Sequence, residues 1–233
     1  MKLISWIFRN VVKPVHLALR SAASRAIDRR LGVFTTDEAV AEALGVEIGE
    51  FRRVLRAMSW SAAHRLVRRL RLGPDDVVLD MGCGAGRVVC LAGRSPISRV
   101  IGIDLDPRMA DLARSNAAGL RGRRCAIEIA EADAVRFDVP DDVTCVYMYN
   151  PFGGEVLASV LGRLVASMDR RERRIRLVYA NPREHDLVVG LGRFRPTASM
   201  SLGWRPGREW ARTQRVQFYE VEASSARRPV AQR

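Results

Sequence analysis

The chain has 233 residues, 48% hydrophobic and 28% charged, which is enough apolar material for one domain plus an extension and excludes a disordered polymer. Its formal net charge of +13 admits acidic partners: RNA, DNA, an anionic membrane or an acidic protein. Only Lys2 and Lys13 are lysines, and the arginines are dispersed, with local clusters at 65–71, 121–124 and 170–176, so a dedicated nucleic-acid face is not favoured.

Residues 1–20 are apolar at Leu3, Ile4, Ile7, Phe8, Val11, Val12 and Val15, which is helical spacing, with basic and polar residues between. The run is too short and interrupted to span a bilayer and lacks a signal-peptide pattern. It reads as an amphipathic helix that packs on the domain or a second subunit, or makes peripheral contact with the inner membrane. Residues 21–60 are expected to be helical, with breaks near Gly32 and Gly45 and Thr36 as an N-cap. A basic helix over 60–72 stops at Gly73-Pro74, and His64 on it reads as solvated.

Strict alternation follows. Strands are expected at 76–81, 99–105, 125–130, 142–149 and 174–180, and helices at 85–93, 107–118, 154–168 and 182–191. This spacing predicts an α/β fold: a Rossmann-like, mostly parallel sheet with helices on both faces. Segments 200–204 and 215–221 read as a closing β-hairpin. The organisation is thus an N-terminal helical extension over 1–60, a ligand-binding domain over 61–223 and a disordered tail over 224–233.

The most informative stretch is 77–87, VVLDMGCGAGR. A buried strand ends at Asp80, and Gly82, Gly84 and Gly86 form a turn into a helix. A dinucleotide site would have G-x-G-x-x-G, but Arg87 stands at the sixth position. S-adenosylmethionine (SAM) suits the turn better, because Asp80 can face its amino group. Asp104, at the tip of the second strand about 20 residues on, can accept from both ribose hydroxyls. Asp133, after the third strand, is the candidate for the adenine amino group.

With LDMGCGAGR (79–87), IGIDLDP (101–107), EIAEADA (128–134) and YNPF (149–152), the chain resembles the class I SAM-dependent methyltransferases over roughly residues 55–220. It looks closest to small bacterial members of undefined substrate, distantly similar to the Dot1-like catalytic core, and DRRLGVFTT (28–36) fits that group. The resemblance implies a seven-stranded sheet whose last pair is antiparallel. It places Asp80 and the turn Gly82, Cys83, Gly84 and Gly86 at the methionine moiety, Asp104 at the ribose and Asp133 at the adenine. Many members carry Glu in place of Asp104, which leaves Asp104 and Asp106 both open for the ribose.

The fourth strand ends in Asn150-Pro151-Phe152, similar to the N-P-P-Y type motif of amino-group methyltransferases but one proline short. Asn150 can orient a target N–H, with Pro151 and Phe152 at the methyl; the alternative is a strand-ending turn with a core Phe. Asn181-Pro182 ends the fifth strand and reads as a helix cap. Glu184 and His185 beyond it are potential bases. Cys83, Cys90, Cys125 and Cys145 form no C-x-x-C pair, which predicts core thiols, no metal site and a reducing cytoplasm. The expected activity is methyl transfer from SAM to a nitrogen or oxygen nucleophile, with the acceptor left open. The rival readings are a NAD- or nucleotide-binding oxidoreductase and a basic SAM-binding interaction protein without turnover.

Overall fold

The computed structural model describes residues 6, 10, 13–48, 58–202 and 215–223. Most of the amphipathic segment at 1–20 before residue 13, and the whole tail at 224–233, lie outside the described residues. Among the described residues the first helices are α1 (Lys13–Leu31), α2 (Asp37–Leu44) and α3 (Trp60–Leu70). Strands and helices then alternate: β1 (Val77–Met81), α4 (Arg87–Ala92), β2 (Arg99–Asp104), α5 (Pro107–Gly119), β3 (Ala126–Glu131), β4 (Cys145–Tyr149), α6 (Gly154–Arg170), β5 (Ile175–Ala180) and α7 (His185–Gly190). An antiparallel pair, β6 (Phe194–Ser201) and β7 (Arg215–Val221), closes the sheet.

The seven strands are ordered β3-β2-β1-β4-β5-β7-β6, parallel from β3 to β5 and antiparallel beyond. Strand order reverses between β1 and β4, so the crevice for a ligand lies at their carboxyl ends. The register sets Met81 beside Met148, bringing the glycine turn after β1 next to the Asn150 turn after β4.

The apolar runs of the central strands feed two cores, one on each face. Val78, Val100, Cys145, Tyr147 and Val178 pack under α3 and α4. Leu79, Met81, Ile103, Val146, Met148 and Leu177 pack against Leu157, Leu161 and Leu164 of α6. Burial on both faces explains why these strands read as continuous rather than alternating hydrophobic runs. Leu31 and Val33 join the first core, so the N-terminal extension shares the domain's packing.

The expected helix breaks at Gly32 and Gly45 are present, both with positive φ, and Thr36 caps α2 by accepting from Ala39 N at 3.3 Å. Gly32 is the tighter position. A Cβ there would lie 2.5 Å from the carbonyl oxygen of Gly119. Gly32→Ala combines a left-handed φ with a backbone collision and is expected to cost about 2–4 kcal/mol, read as a shift in denaturant midpoint without a change in slope.

Two elements differ from expectation. The first arm of the closing hairpin starts at Phe194 rather than near residue 200. Only Phe194 of β6 is buried, and Pro196 sits at a register shift. An edge strand tolerates both, but neither produces an apolar alternation that marks a strand. Helix α7 begins at His185 with Glu184 at the N-cap, not at 182. Asn181 takes φ 53 and its amide donates to Arg215 O, so it ends β5 instead of capping the helix.

Candidate active site

Asp80 lies near the end of β1, 2% exposed, on the face beneath α4. It has no hydrogen-bond partner among the described residues. Burial, with the Asp104 charge second, holds its carboxyl well above the usual carboxylate range. The turn that follows is built from three glycines with φ of 76, 53 and 78, for Gly82, Gly84 and Gly86. A side chain at these positions would pay the left-handed cost, which explains the repeated glycine. The space above Gly84 is open, and a Cβ on Gly82 would sit 3.1 Å from Pro151 Cβ, so the two turns line one crevice.

The amides of this turn are already used. Gly82 N and Cys83 N both donate to Ile103 O at 2.9 Å, and Gly86 N donates to Cys83 O at 2.9 Å. Gly84 N donates to Asp104 Oδ2 at 2.8 Å. The glycine amides are thus spent on internal acceptors, and the carboxylates Asp80 and Asp104 beside them fit a cationic ligand end.

Asp104 and Asp106, both open from sequence, are separated by their contacts. Asp104 bridges Gly84 N and, through Oδ1, Asp106 N at 3.0 Å, which fixes it at the strand tip facing the turn. Asp106 caps α5, accepting from Arg108 N at 2.9 Å and pairing with the Arg108 guanidinium at 2.8 Å, and these bonds lower its carboxyl pKa. Ala132 N donates to Asp104 O at 2.9 Å, which brings Asp133 alongside. Asp133 Oδ1 accepts from Val135 N, and its side chain stays 43% exposed. Leu105, not singled out from sequence, is 69% exposed beside these two acids, an apolar surface of the size a base would cover.

Cys83 is buried beneath the turn with its thiol pKa pushed well up by burial, and its Sγ contacts Gly84 O at 3.6 Å. It packs the turn and its thiol is chemically quiet. Burial also pushes Cys90 and Cys145 up to about 12.

On the other wall, Asn150 takes φ 44, a strained value for a residue with a side chain. Its Oδ1 accepts from Tyr179 OH at 2.9 Å. Tyr179 was not identified from sequence; its position at the end of β5 beside β4 explains the contact. Pro151 is exposed in the crevice. Phe152 is half-buried against the core beneath α6. A Cβ on Gly153 would lie 3.4 Å from Glu184 Oε1, so this carboxylate stands at the same mouth. His185 Nδ1 instead pairs with Tyr219 OH at 2.6 Å.

The N-terminal extension is tied to the turn by buried polar groups that sequence spacing did not reveal. Arg87, the first residue of α4, donates to Thr35 Oγ1 at 3.0 Å, to Met58 O at 2.5 Å and to Thr35 O, and lies 5.4 Å over the Trp60 ring. Asp28 accepts from Thr35 N, Thr36 N, Thr35 Oγ1 and Trp60 Nε1. Asn116, 1% exposed, donates to Phe34 O and Ala85 O and accepts from Phe34 N. Phe34 itself is 62% exposed, with its backbone pinned beside the turn.

A family model described as a methyltransferase domain matches residues 78–171. Ribosomal protein L11 methyltransferase from Burkholderia mallei is 39% identical over 69 residues, 30% of this chain and 19% of the relative. The Burkholderia cenocepacia protein of that name is 32% identical over 116 residues, 46% of this chain and 37% of the relative. The chain therefore spans well under half the length of these curated relatives. Among solved structures, magnesium protoporphyrin IX methyltransferase from Synechocystis PCC 6803 with bound SAM superposes with a TM-score of 0.52 at 16% identity, covering 81% of this chain and 97% of that one. An RNA methyltransferase from Salinibacter ruber with S-adenosyl-L-homocysteine gives 0.50 at 18% identity, covering 72% and 95%. The β3-to-β6 sheet order, the glycine turn and its flanking acids thus go with a methyltransferase-domain match over residues 78–171 and with the fold of these SAM- and S-adenosyl-L-homocysteine-bound methyltransferases.

Proposed function

We propose that the protein binds SAM in the β1/β4 crevice and transfers its methyl group to a nitrogen or oxygen nucleophile. The observation that carries this reading is the acid pair: Asp80, buried with no hydrogen-bond partner among the described residues, beside Asp104 on a turn whose glycine amides are internally bonded. A buried carboxylate beside a second acid is stabilised by a cation, and the SAM ammonium supplies one. Asp80 is assigned to the ammonium and Gly82–Gly84 to the methionine chain. Asp104 is assigned to the ribose, since Asp106 is occupied by capping and by Arg108. Asp133 takes the adenine amino group and Leu105 covers the ring.

SAM, when bound, supplies an electrophilic methyl group on a sulfonium that leaves readily. The chain then has to align the acceptor and exclude water. Tyr179 OH fixes the Asn150 carboxamide at the mouth, where it can orient an acceptor N–H or O–H. Glu184 is the carboxylate placed to take the acceptor's proton.

Labelled-methyl transfer from SAM into fractionated cell extract tests the reading. The wild type is expected to label an acceptor. Asn150→Ala should bind SAM within about twofold of wild type and label that acceptor roughly 100-fold more slowly, because only alignment is lost. SAM binding by both proteins with equal labelling would remove Asn150 from the mechanism. Absence of SAM binding would remove the proposal itself.

A further inference from the structure

A second concave site lies away from the crevice. Helix α4 starts at the glycine turn and runs back towards the amino end of the parallel strand β2, so its far end lies on the side of the sheet opposite the crevice. There, between α3 and the turn after α4, is a cavity of about 390 Å³. His64, Arg68, Arg71, Arg94 and Ser95 line it, Val67, Leu72, Leu91 and Pro96 form its apolar wall, and no carboxylate lines it. The Arg68, Arg71 and Arg94 side chains are exposed and have no ion-pair partner among the described residues.

The positive surface continues past the cavity. Arg124 N donates to Gly93 O at 2.8 Å, and a Cβ on Gly122 would lie 3.3 Å from Arg94 Nε. Arg94 thus lies against the turn carrying the exposed Arg121, Arg123 and Arg124. Two arginine clusters distant in sequence, 65–71 and 121–124, become neighbours through Arg94.

The third cluster is neutralised instead. Arg170 pairs with Asp138 and Asp141, Arg174 with Glu220, and Arg176 with Asp76 at 2.7 Å. Arg173 is spent on carbonyls of Pro140, Val143 and Ser167. A uniform arginine bias would leave the clusters alike; they are not.

We propose that this face is a binding site for the phosphodiester backbone of nucleic acid, held by Arg68, Arg71 and Arg94 and extended over 121–124. Guanidinium groups pair with phosphate oxygens in a bidentate way, and a strip longer than one cavity matches a repeating anion. Among the described residues, none of the exposed large apolar side chains, Phe34 and Leu105 included, lies in the cavity wall, so the site presents arginines rather than protruding apolar groups for insertion into a bilayer. The site does not depend on the SAM crevice.

Fluorescence anisotropy of the full chain with a short labelled RNA and the matching DNA tests this, with flotation on phosphatidylglycerol vesicles in parallel. Arg68→Ala/Arg71→Ala/Arg94→Ala is expected to weaken oligonucleotide binding at least tenfold. It should also flatten the log affinity against log salt plot by about 2, as loss of three phosphate contacts requires. A charge-matched control, Arg163→Ala/Arg174→Ala/Arg195→Ala, should change affinity less than threefold. Unchanged thermal melting and SAM titration would show that the triple variant folds. Binding of RNA alone, or of RNA and DNA alike, supports the site. Equal losses in both triple variants, no oligonucleotide binding by the wild type, or vesicle binding alone would overturn it.

Discussion

Asp80→Asn is expected to stabilise the ligand-free protein and weaken SAM roughly 10- to 100-fold, the loss of one hydrogen bond to a charged group. The two effects have one cause. A carboxyl whose pKa is raised on folding contributes stability while protonated; that contribution is present below the unfolded value near 4 and is lost as pH rises through the higher folded value. At neutral pH the buried Asp80 carboxylate therefore works against folding, all the more beside Asp104. Asn keeps the shape and removes the charge, so the melting temperature rises. The SAM ammonium stabilises the ionised carboxylate, so binding draws the Asp80 pKa down. SAM affinity should then increase with pH up to the raised Asp80 value in the wild type, and lose that dependence in Asp80→Asn. Calorimetry over a pH series, together with thermal melts, reads both. A variant that melts lower and binds SAM normally would contradict the assignment.

Arg87 carries the second large effect. Arg87→Lys keeps a positive charge but cannot address Thr35 Oγ1, Thr35 O and Met58 O from one planar group. It is expected to cost about 2–4 kcal/mol, lowering the melting temperature by roughly 5–15 °C. Arg87→Met should cost at least as much, because the same buried carbonyls lose their donor. Arg87 follows Gly86 directly, so SAM affinity should fall with stability even though this side chain points away from the crevice. Parallel melts and SAM titrations check this. Full retention of SAM affinity in a destabilised Arg87→Lys protein would show that the N-terminal extension and the glycine turn are energetically separate.

These residues also mark how far the sequence could be read. The glycine turn, Asp104 and the Asn150 turn were legible because each sits at a strand's carboxyl end, where local pattern and topology agree. The partners of those groups were not. Arg87 was noticed as the residue that spoils a dinucleotide motif, yet its function depends on Thr35 and Met58, which only tertiary packing brings close. Tyr179 could have been anticipated as the neighbour of Asn150 once β4 and β5 were known to be adjacent. Asp106 and Asp104 are equivalent in sequence, and capping of α5 separates them. Strand β6 was invisible in its first half because an edge strand needs little apolar alternation. The arginine clusters read as dispersed because the chain alone does not reveal that Arg94 lies against the turn at Gly122.

Calorimetric titration of the protein with SAM, run beside NAD, decides whether the crevice at β1 and β4 is a SAM site. Saturable SAM binding is expected, with no measurable heat from NAD, since an acid pair flanks the turn and its glycine amides are internally bonded. A preference for NAD, or no binding of SAM, would contradict it and remove the crevice assignments of Asp80, Asp104 and Asp133 together.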